Sequence, residues 1–431
     1  PALSVYTLVP SIALFGLNEF AVRFPSALLG TLTVLLTYLM VKQLFILRAS
    51  VASREDTSSP LLSFPRLAYR QAGKRESRTG FRIKSGMTKD IGKFSTSSND
   101  IIALLSALLL AVSPWHLQFS RYDHEANFMV FFSVLALTLL LYSFKNPKLL
   151  IFSALSFGLA LNTYHGAKIW IPLFILTIVV FFLKPILSFK SKLIIPLVIL
   201  ILSTYPIFSN FEKTTIRSSS VGIFENNPNS LNTLRVGYLS HFSLNFLFTA
   251  GDRIPRHSVF GMGQLYVFEL PLLLLGIVSL VKSISPMSRF LLVWLLLAPI
   301  PASLAAPTPH ALRSITFLPV LQIITSLGLA KIFTAKISQN LKIGVLIILS
   351  AIAVYNFATY LHLYYKHYPK LASIDWQDGY KEMINFINPI KDKYSTVAVT
   401  NHYGHPYIFI LFYAKFDPRT YQDLEDKSKF D

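Results

Sequence analysis

Cysteine is absent from the 431 residues, which excludes disulfides and thiolate metal sites and leaves the redox compartment open. Charge is scarce too, at 14% of residues against about 25% in soluble globular chains. Acids are the scarcer sign: 21 Asp and Glu stand against 40 Lys and Arg, a formal net charge of +19. The sequence opens PALSVYTLVP, without a start methionine or a signal peptide, and this predicts a fragment. HExxH, P-loop, GxSxG and CxxC patterns are also missing. Hydrolytic zinc chemistry, ATP hydrolysis and serine hydrolysis therefore have no motif behind them.

Apolar residues are abundant, at 53%. They gather in runs approaching the roughly 20 residues that a helix needs to cross a bilayer. Such runs must be helical, because lipid cannot satisfy an open backbone. The expected fold class is an all-α polytopic membrane protein. Ten spans are expected, near 20–47, 100–117, 126–144, 149–163, 168–184, 193–209, 265–282, 289–306, 314–331 and 343–363.

The positive charge sorts between alternate loops. One set holds Lys145 and Lys148, Lys184, Lys190 and Lys192, Lys282 and Arg289, and Lys331, Lys336 and Lys342. The basic segment 48–99 belongs with it. The other set holds only Arg121, Lys168 and Arg313 in its short loops. Lys/Arg-rich loops stay cytoplasmic, so residues 1–19 and everything after about 363 are expected outside. All ten histidines then fall on the external side. Topology thus accounts for the basic excess, and no nucleic-acid partner is expected.

Three divisions follow. Residues 1–19 end an external loop. Residues 20–363 form the membrane domain, with a disordered cytoplasmic insertion at 48–99 and a long external loop at 210–264. Residues 364–431 read as a small external α/β domain, with DWQDGYKEMINFINPI as helix and YSTVAVT as strand; it stops without a closing element and is expected to be incomplete.

Chemistry is sought in the external loops. SPWHLQFSRYDHEANF packs Arg121, Asp123, His124 and Glu125 into a stretch otherwise almost free of charge. A charge at the bilayer centre costs roughly 2.5–3.5 kcal/mol and tends to mark a site. Arg121 has the planar fork that suits phosphate, and Asp123 and Glu125 are candidate acids or bases. Capping and mutual pairing is the bland reading, and it is preferred for His124. No metal set is assigned, since the contiguous Asp–His–Glu side chains diverge on a helix; dependence on a divalent ion stays open.

NTYHGAK offers Asn162, Tyr164, His165 and Lys168 as a polar ring for a sugar or phosphate, or equally as a turn with interfacial Tyr and snorkelling Lys. The long loop contains GDRIPRHSVFGMGQLYVFELP, with Asp252, Arg253, Arg256 and His257. In APTPHALRSITFLP, His310 and Arg313 are three apart and share a face if helical. Arg313 breaks the charge rule at a span mouth, a natural place to meet a lipid phosphate.

The opening PALSVYTLVPSIALFGLNEFAVRFPSALLGTL, with SPWHLQFSRYDHEANF, NTYHGAK and PHALRSITFLP, resembles GT-C membrane glycosyltransferases. The branch it looks most like contains protein O-mannosyltransferases and the aminoarabinose transferases of lipid A (families 39 and 83), in bacterial members. The resemblance covers most of the chain outside 48–99 and rests on order and spacing. It implies an enzyme of the bacterial plasma membrane that takes a hexosyl or pentosyl group from a polyprenyl-phosphate donor and gives it to an acceptor outside. It implies membrane lipid and the lipid-linked donor as partners, an unspecified acceptor, and no other cofactor. It assigns donor binding to Arg121, Tyr164, His165, Lys168, Arg256, His257, His310 and Arg313, with Asp123 and Glu125 as the remaining catalytic candidates. The family's first span and principal acidic pair would precede Pro1; Glu19 is the only acid left there and is not promoted to base, so the resemblance implies that residues 1–431 lack the family's principal base and are inactive by themselves. A flippase of lipid-linked sugars, a polysaccharide ligase or polymerase, and a non-catalytic anchor are the alternatives. The first should show paired repeats, and none is visible.

Overall fold

The computed structural model describes residues 2–55, 98–209, 222–223, 229–283, 285–402 and 404–423. Most of the basic insertion, residues 56–97, and parts of the long loop, 210–221 and 224–228, lie outside the described residues.

The chain is a helical membrane protein. Helices α1 (Ala2–Phe15) and α2 (Glu19–Glu55) come first. Then follow α3 (Ser98–Val112), α4 (Pro114–Ser120), α5 (Glu125–Ser143), α6 (Leu149–Leu161), α7 (Ala167–Leu187) and α8 (Ile194–Ser209). After the long loop and α9 (Ser230–Ser240) come α10 (Glu269–Lys282), α11 (Pro286–Leu297), α12 (Ile300–Ser303), α13 (Val320–Thr334) and α14 (Gln339–His362).

Among the described residues, seven helices are long and apolar enough to cross a membrane, and the bent pair α3–α4 is an eighth candidate. The expected spans at 149–163 and 265–282 correspond to helices of only 13 and 14 residues, shorter than a perpendicular crossing requires. Helix α2 runs on to Glu55, past residue 48 where the insertion was expected to begin.

The α3–α4 break positions the site. Pro114 has no N–H and pushes Ser113 out of the helical region, and Ser113 is extended (φ −60°, ψ 128°) and caps α4. The two axes meet at 59°. Helix α4 thus buries Trp115, His116, Gln118 and Phe119 and delivers the chain to Arg121 at one end of the bundle. His124 then caps α5, its Nδ1 accepting from the Ala126 amide at 3.1 Å.

Polar ties hold the helices together where water is excluded. Asn127 on α5 donates to the Ser26 carbonyl (3.0 Å) and hydroxyl (2.9 Å) on α2. Ser106 on α3 meets Ser326 on α13, 2.7 Å between hydroxyls. At a partly exposed end of the bundle, Lys42 pairs with Asp100 at 2.9 Å. Lys42 lies 23 residues beyond Glu19 on one helix, so the Lys42 end is about 35 Å from the Glu19 end at 1.5 Å per residue. Lys145 reaches Gln43 at 3.3 Å and belongs to the same end as Lys42.

Helices α10 and α13 approach with backbone against backbone. A Cβ on Gly276 would strike the Ile324 carbonyl, and one on Gly328 the Leu272 carbonyl. This is the small-residue packing that membrane helices use in place of a hydrophobic drive. Gly328→Val is expected to cost at least about 1–3 kcal/mol, because the backbones must part. Thermal unfolding in detergent, followed by tryptophan fluorescence, checks it; an unchanged midpoint would refute this packing.

The C-terminal segment folds as α15 (Tyr368–Leu371), α16 (Tyr380–Ile387), α17 (Pro406–Tyr413) and α18 (Pro418–Gln422). No strand occurs among its described residues: 394–400, expected as a strand, has no ladder partner. Alternating β-branched residues make a strand only where a neighbour supplies hydrogen bonds, and helices surround this one.

Candidate functional site

A cavity of about 1110 Å³ opens at the Glu19 end of the bundle. Its walls come from the tip of α2, the Arg121 turn, the long loop at Arg256 and His257, the end of α14, and the C-terminal helices with the segment leading to them.

Arg121 is its best-defined group. The guanidinium carbon lies 5.1 Å from the Tyr364 ring centre, 5.5 Å from Tyr368 and 4.9 Å from Trp376. Tyr364 and Tyr368 are four residues apart, and their rings stack at 5.9 Å. Between them the helix widens into a π-turn, Leu363–His367, a distortion often found at functional sites. Tyr122 closes the box edge-on against Trp376, 4.9 Å between centres. Three ring faces hold the cation. Its Nη1 is nevertheless buried and makes no hydrogen bond to the described residues.

The Tyr368 hydroxyl braces the box. It accepts from Trp376 Nε1 and Gln118 Nε2, each at 2.8 Å, and donates to the Pro255 carbonyl at 2.8 Å. Gln118 also donates to the Arg256 carbonyl at 2.7 Å. One buried network thus fixes Trp376 and places Arg256 on the cavity wall.

Behind that wall the long loop is cross-tied. The Asp252 carboxylate accepts from the Ile254 amide (2.9 Å), the Ala311 amide (2.7 Å) and His257 Nδ1 (2.9 Å). Burial alone would raise its pKa; His257 and the two amides outweigh burial and hold it below the usual carboxylate range. The His257 and His310 rings are 4.7 Å apart. Burial, with the Arg313 charge beside it, lowers the His310 pKa, favouring the neutral ring. His241 accepts the His310 amide on Nε2 (3.1 Å) and sits 2.8 Å from the Gly237 carbonyl through Nδ1. Burial lowers its pKa to about 4, so its ring is neutral with the proton on Nδ1. Asp252, His257 and His310 offer ligand atoms within 4.8 Å of one another and are, among the described residues, the group that could hold a metal ion; the carboxylate already serves three donors.

The cavity gathers three of the eight donor-binding residues expected from the resemblance: Arg121, Arg256 and His257. His310 stands behind His257. Tyr164 is not among the lining residues; its ring lies 5.8 Å from that of His124, which is. His165 and Lys168, at the entry to α7, are not among the lining residues. Arg313 spends its guanidinium on its own loop, donating to the Ala305 and Ala306 carbonyls at 3.0 and 2.8 Å.

Neither candidate carboxylate lines the cavity. Glu125 starts α5, 3.4 Å from His124 Nδ1. Asp123 sits between the lining residues Tyr122 and His124, with a buried Oδ1 that makes no hydrogen bond to the described residues. Burial, with Glu125 nearby, pushes its carboxyl up to about 7. The group binds its proton more tightly folded than unfolded, where about 3.9 applies. Its penalty to stability therefore develops as pH rises from about 4 to about 7. Asp123→Asn is expected to flatten that part of the stability–pH curve. An unchanged slope between pH 4 and 7 would show that Asp123 does not titrate there.

Sequence reading missed Tyr364, Tyr368 and Trp376. Aromatics at a span end read as the ordinary interfacial belt; the available signal was YYKHY, which puts two tyrosines on one helical face.

No family model and no curated protein matches the sequence. Three solved structures align with it. All three are archaeal oligosaccharyltransferases. They come from Archaeoglobus fulgidus: one is tethered with an acceptor peptide, one is in complex with Zn and sulfate, and one, AglB, is bound to an inhibitory peptide and a dolichol-phosphate. Identity is 12–14% and the TM-score is 0.47. The alignments cover 92% of this chain and 48–51% of those, so the chain spans about half their length. A likeness at this score assigns no function.

Proposed function

We propose that the protein transfers a sugar from a polyprenyl-phosphate donor to an acceptor on the external face of a bacterial plasma membrane. The observation that carries this reading is the Arg121 box. A guanidinium clamped by three aromatic faces, with a buried Nη1 that makes no hydrogen bond to the described residues, is prepared for an anion that arrives with the substrate. Its place at a bundle end suits a phosphate whose polyprenyl tail lies in the bilayer.

Orientation supports the same reading. Lys42 and Lys145 mark the opposite end, and Lys/Arg-rich loops remain cytoplasmic. The phosphate would leave as the sugar moves, and Arg121 and Arg256 would stabilise its growing charge. Of the titratable groups, the acids Glu19, Asp375, Asp378 and Glu382 and the histidines His124 and His257 line the cavity. In this reading one of those residues takes the acceptor's proton.

The test uses the full protein in detergent with radiolabelled polyprenyl-phosphate sugars and a membrane extract as acceptor. Labelled product that requires Arg121 supports transfer. Sugar-lipid crossing the bilayer of proteoliposomes without product would instead indicate a flippase.

A further inference from the structure

The far end of the cavity is chemically unlike the Arg121 end. Tyr380 on α16 lies flat on Phe409 of α17, ring centres 4.8 Å apart and planes 1° from parallel. Tyr413, one turn further on, continues the layer at 6.4 Å and 14°. All three rings line the cavity. Tyr413 and Phe409 remain partly open, so the layer is a step rather than a sealed core.

Around the step, Lys381 pairs with Glu19 at 2.7 Å and sits 6.0 Å over the Tyr413 ring. Asp378 and Glu382 flank it on the same wall. A second cavity of about 550 Å³ shares Ser373, Gln377, Asp378, Gly379 and Tyr380 with the first and continues to Val399 and Thr400. The two spaces follow one another along the segment 373–383.

We infer that this end is a carbohydrate subsite, binding a neutral oligosaccharide that accepts the transferred sugar. The inference rests on the proposed transfer reaction and adds the acceptor's chemical class. A flat aromatic step matches the C–H face of a pyranose. Carboxylates only accept hydrogen bonds, so they suit hydroxyl groups and repel a second anion. The main cavity exceeds the 300–1,000 Å³ (about) of ordinary small-molecule pockets, which leaves room for donor and acceptor together. The adjoining space gives an acceptor longer than one sugar a place to extend. A peptide acceptor is the competing class, and no strand edge to bind its backbone occurs among the described residues.

The experiment takes the full chain in detergent and measures binding to immobilised neutral oligosaccharides, to immobilised unstructured peptides, and to undecaprenyl phosphate in mixed micelles. Tyr413→Ala is expected to weaken oligosaccharide binding about tenfold, the loss typical of an anchoring contact. Tyr413→Phe, which keeps the ring, is expected to retain it, and both variants should bind undecaprenyl phosphate normally. Failure to retain any oligosaccharide, retention indifferent to Tyr413→Ala, or peptide binding that depends on Tyr413 would each overturn the inference. Tyr413-dependent oligosaccharide binding without undecaprenyl phosphate binding would uphold the subsite and remove the donor reading.

Discussion

Arg121→Ala is expected to lower sugar transfer by about 10²–10³-fold, the cost of losing one preorganised donor to a developing oxyanion. The substitution removes the only cation held inside the Tyr364, Tyr368 and Trp376 box among the described residues. The rings are braced independently, through the Tyr368 hydroxyl, the Pro255 carbonyl and Gln118, so the fold is expected to survive. Arg121→Lys keeps the charge and loses the planar fork; it should recover only part of the activity. Transfer rates for the three proteins, with polyprenyl-phosphate affinity measured alongside, check the prediction. Full activity in Arg121→Ala would show that the phosphate is held elsewhere.

Asp252→Ala has the largest expected effect on stability. It strips the acceptor from the Ile254 and Ala311 amides and from His257 at once, in a pair whose side chains are 2% and 8% exposed. Breaking one partner of a buried pair costs about 3–5 kcal/mol. Because the folded carboxylate has the lower pKa, its contribution is complete above about pH 5 and is lost as pH falls below about 4. The wild type should therefore lose this contribution in acid, while the variant, already without it, should show a shallower acid decline. With no cysteine available for thiol dyes and four tryptophans present, intrinsic fluorescence is the natural probe. Equal midpoints for the two proteins at neutral pH would mean that the loop is held by its backbone alone.

The membrane-crossing pattern was legible because the runs at 126–144 and 343–363 announce it by length. The helices at Leu149–Leu161 and Glu269–Lys282 were harder to bound. Their apolar runs continue into turns, and only Asn162, donating to the Gly158 and Ser203 carbonyls, shows how α6 stops. Arg121 was legible as a charge in apolar surroundings. Its box was not, because the rings come from residues more than two hundred positions away and look like any interfacial aromatics. For Arg313 the sequence left two roles open, since a lone positive charge on the sparsely charged side can hold a phosphate or its own backbone; the structure adds that its Nη1 bonds the carbonyls of Ala305 and Ala306. The strand expected at the C-terminus shows that β-branched alternation specifies a strand only together with a partner.

The measurement that bears most directly on the central claim compares undecaprenyl phosphate with undecaprenol, its uncharged alcohol, for binding to the purified protein in mixed micelles. If the Arg121 box holds the donor's phosphate, the phosphate binds at least about a hundredfold tighter (roughly 2.7 kcal/mol), and Arg121→Ala removes most of the difference. Equal affinities for the two lipids would contradict the account.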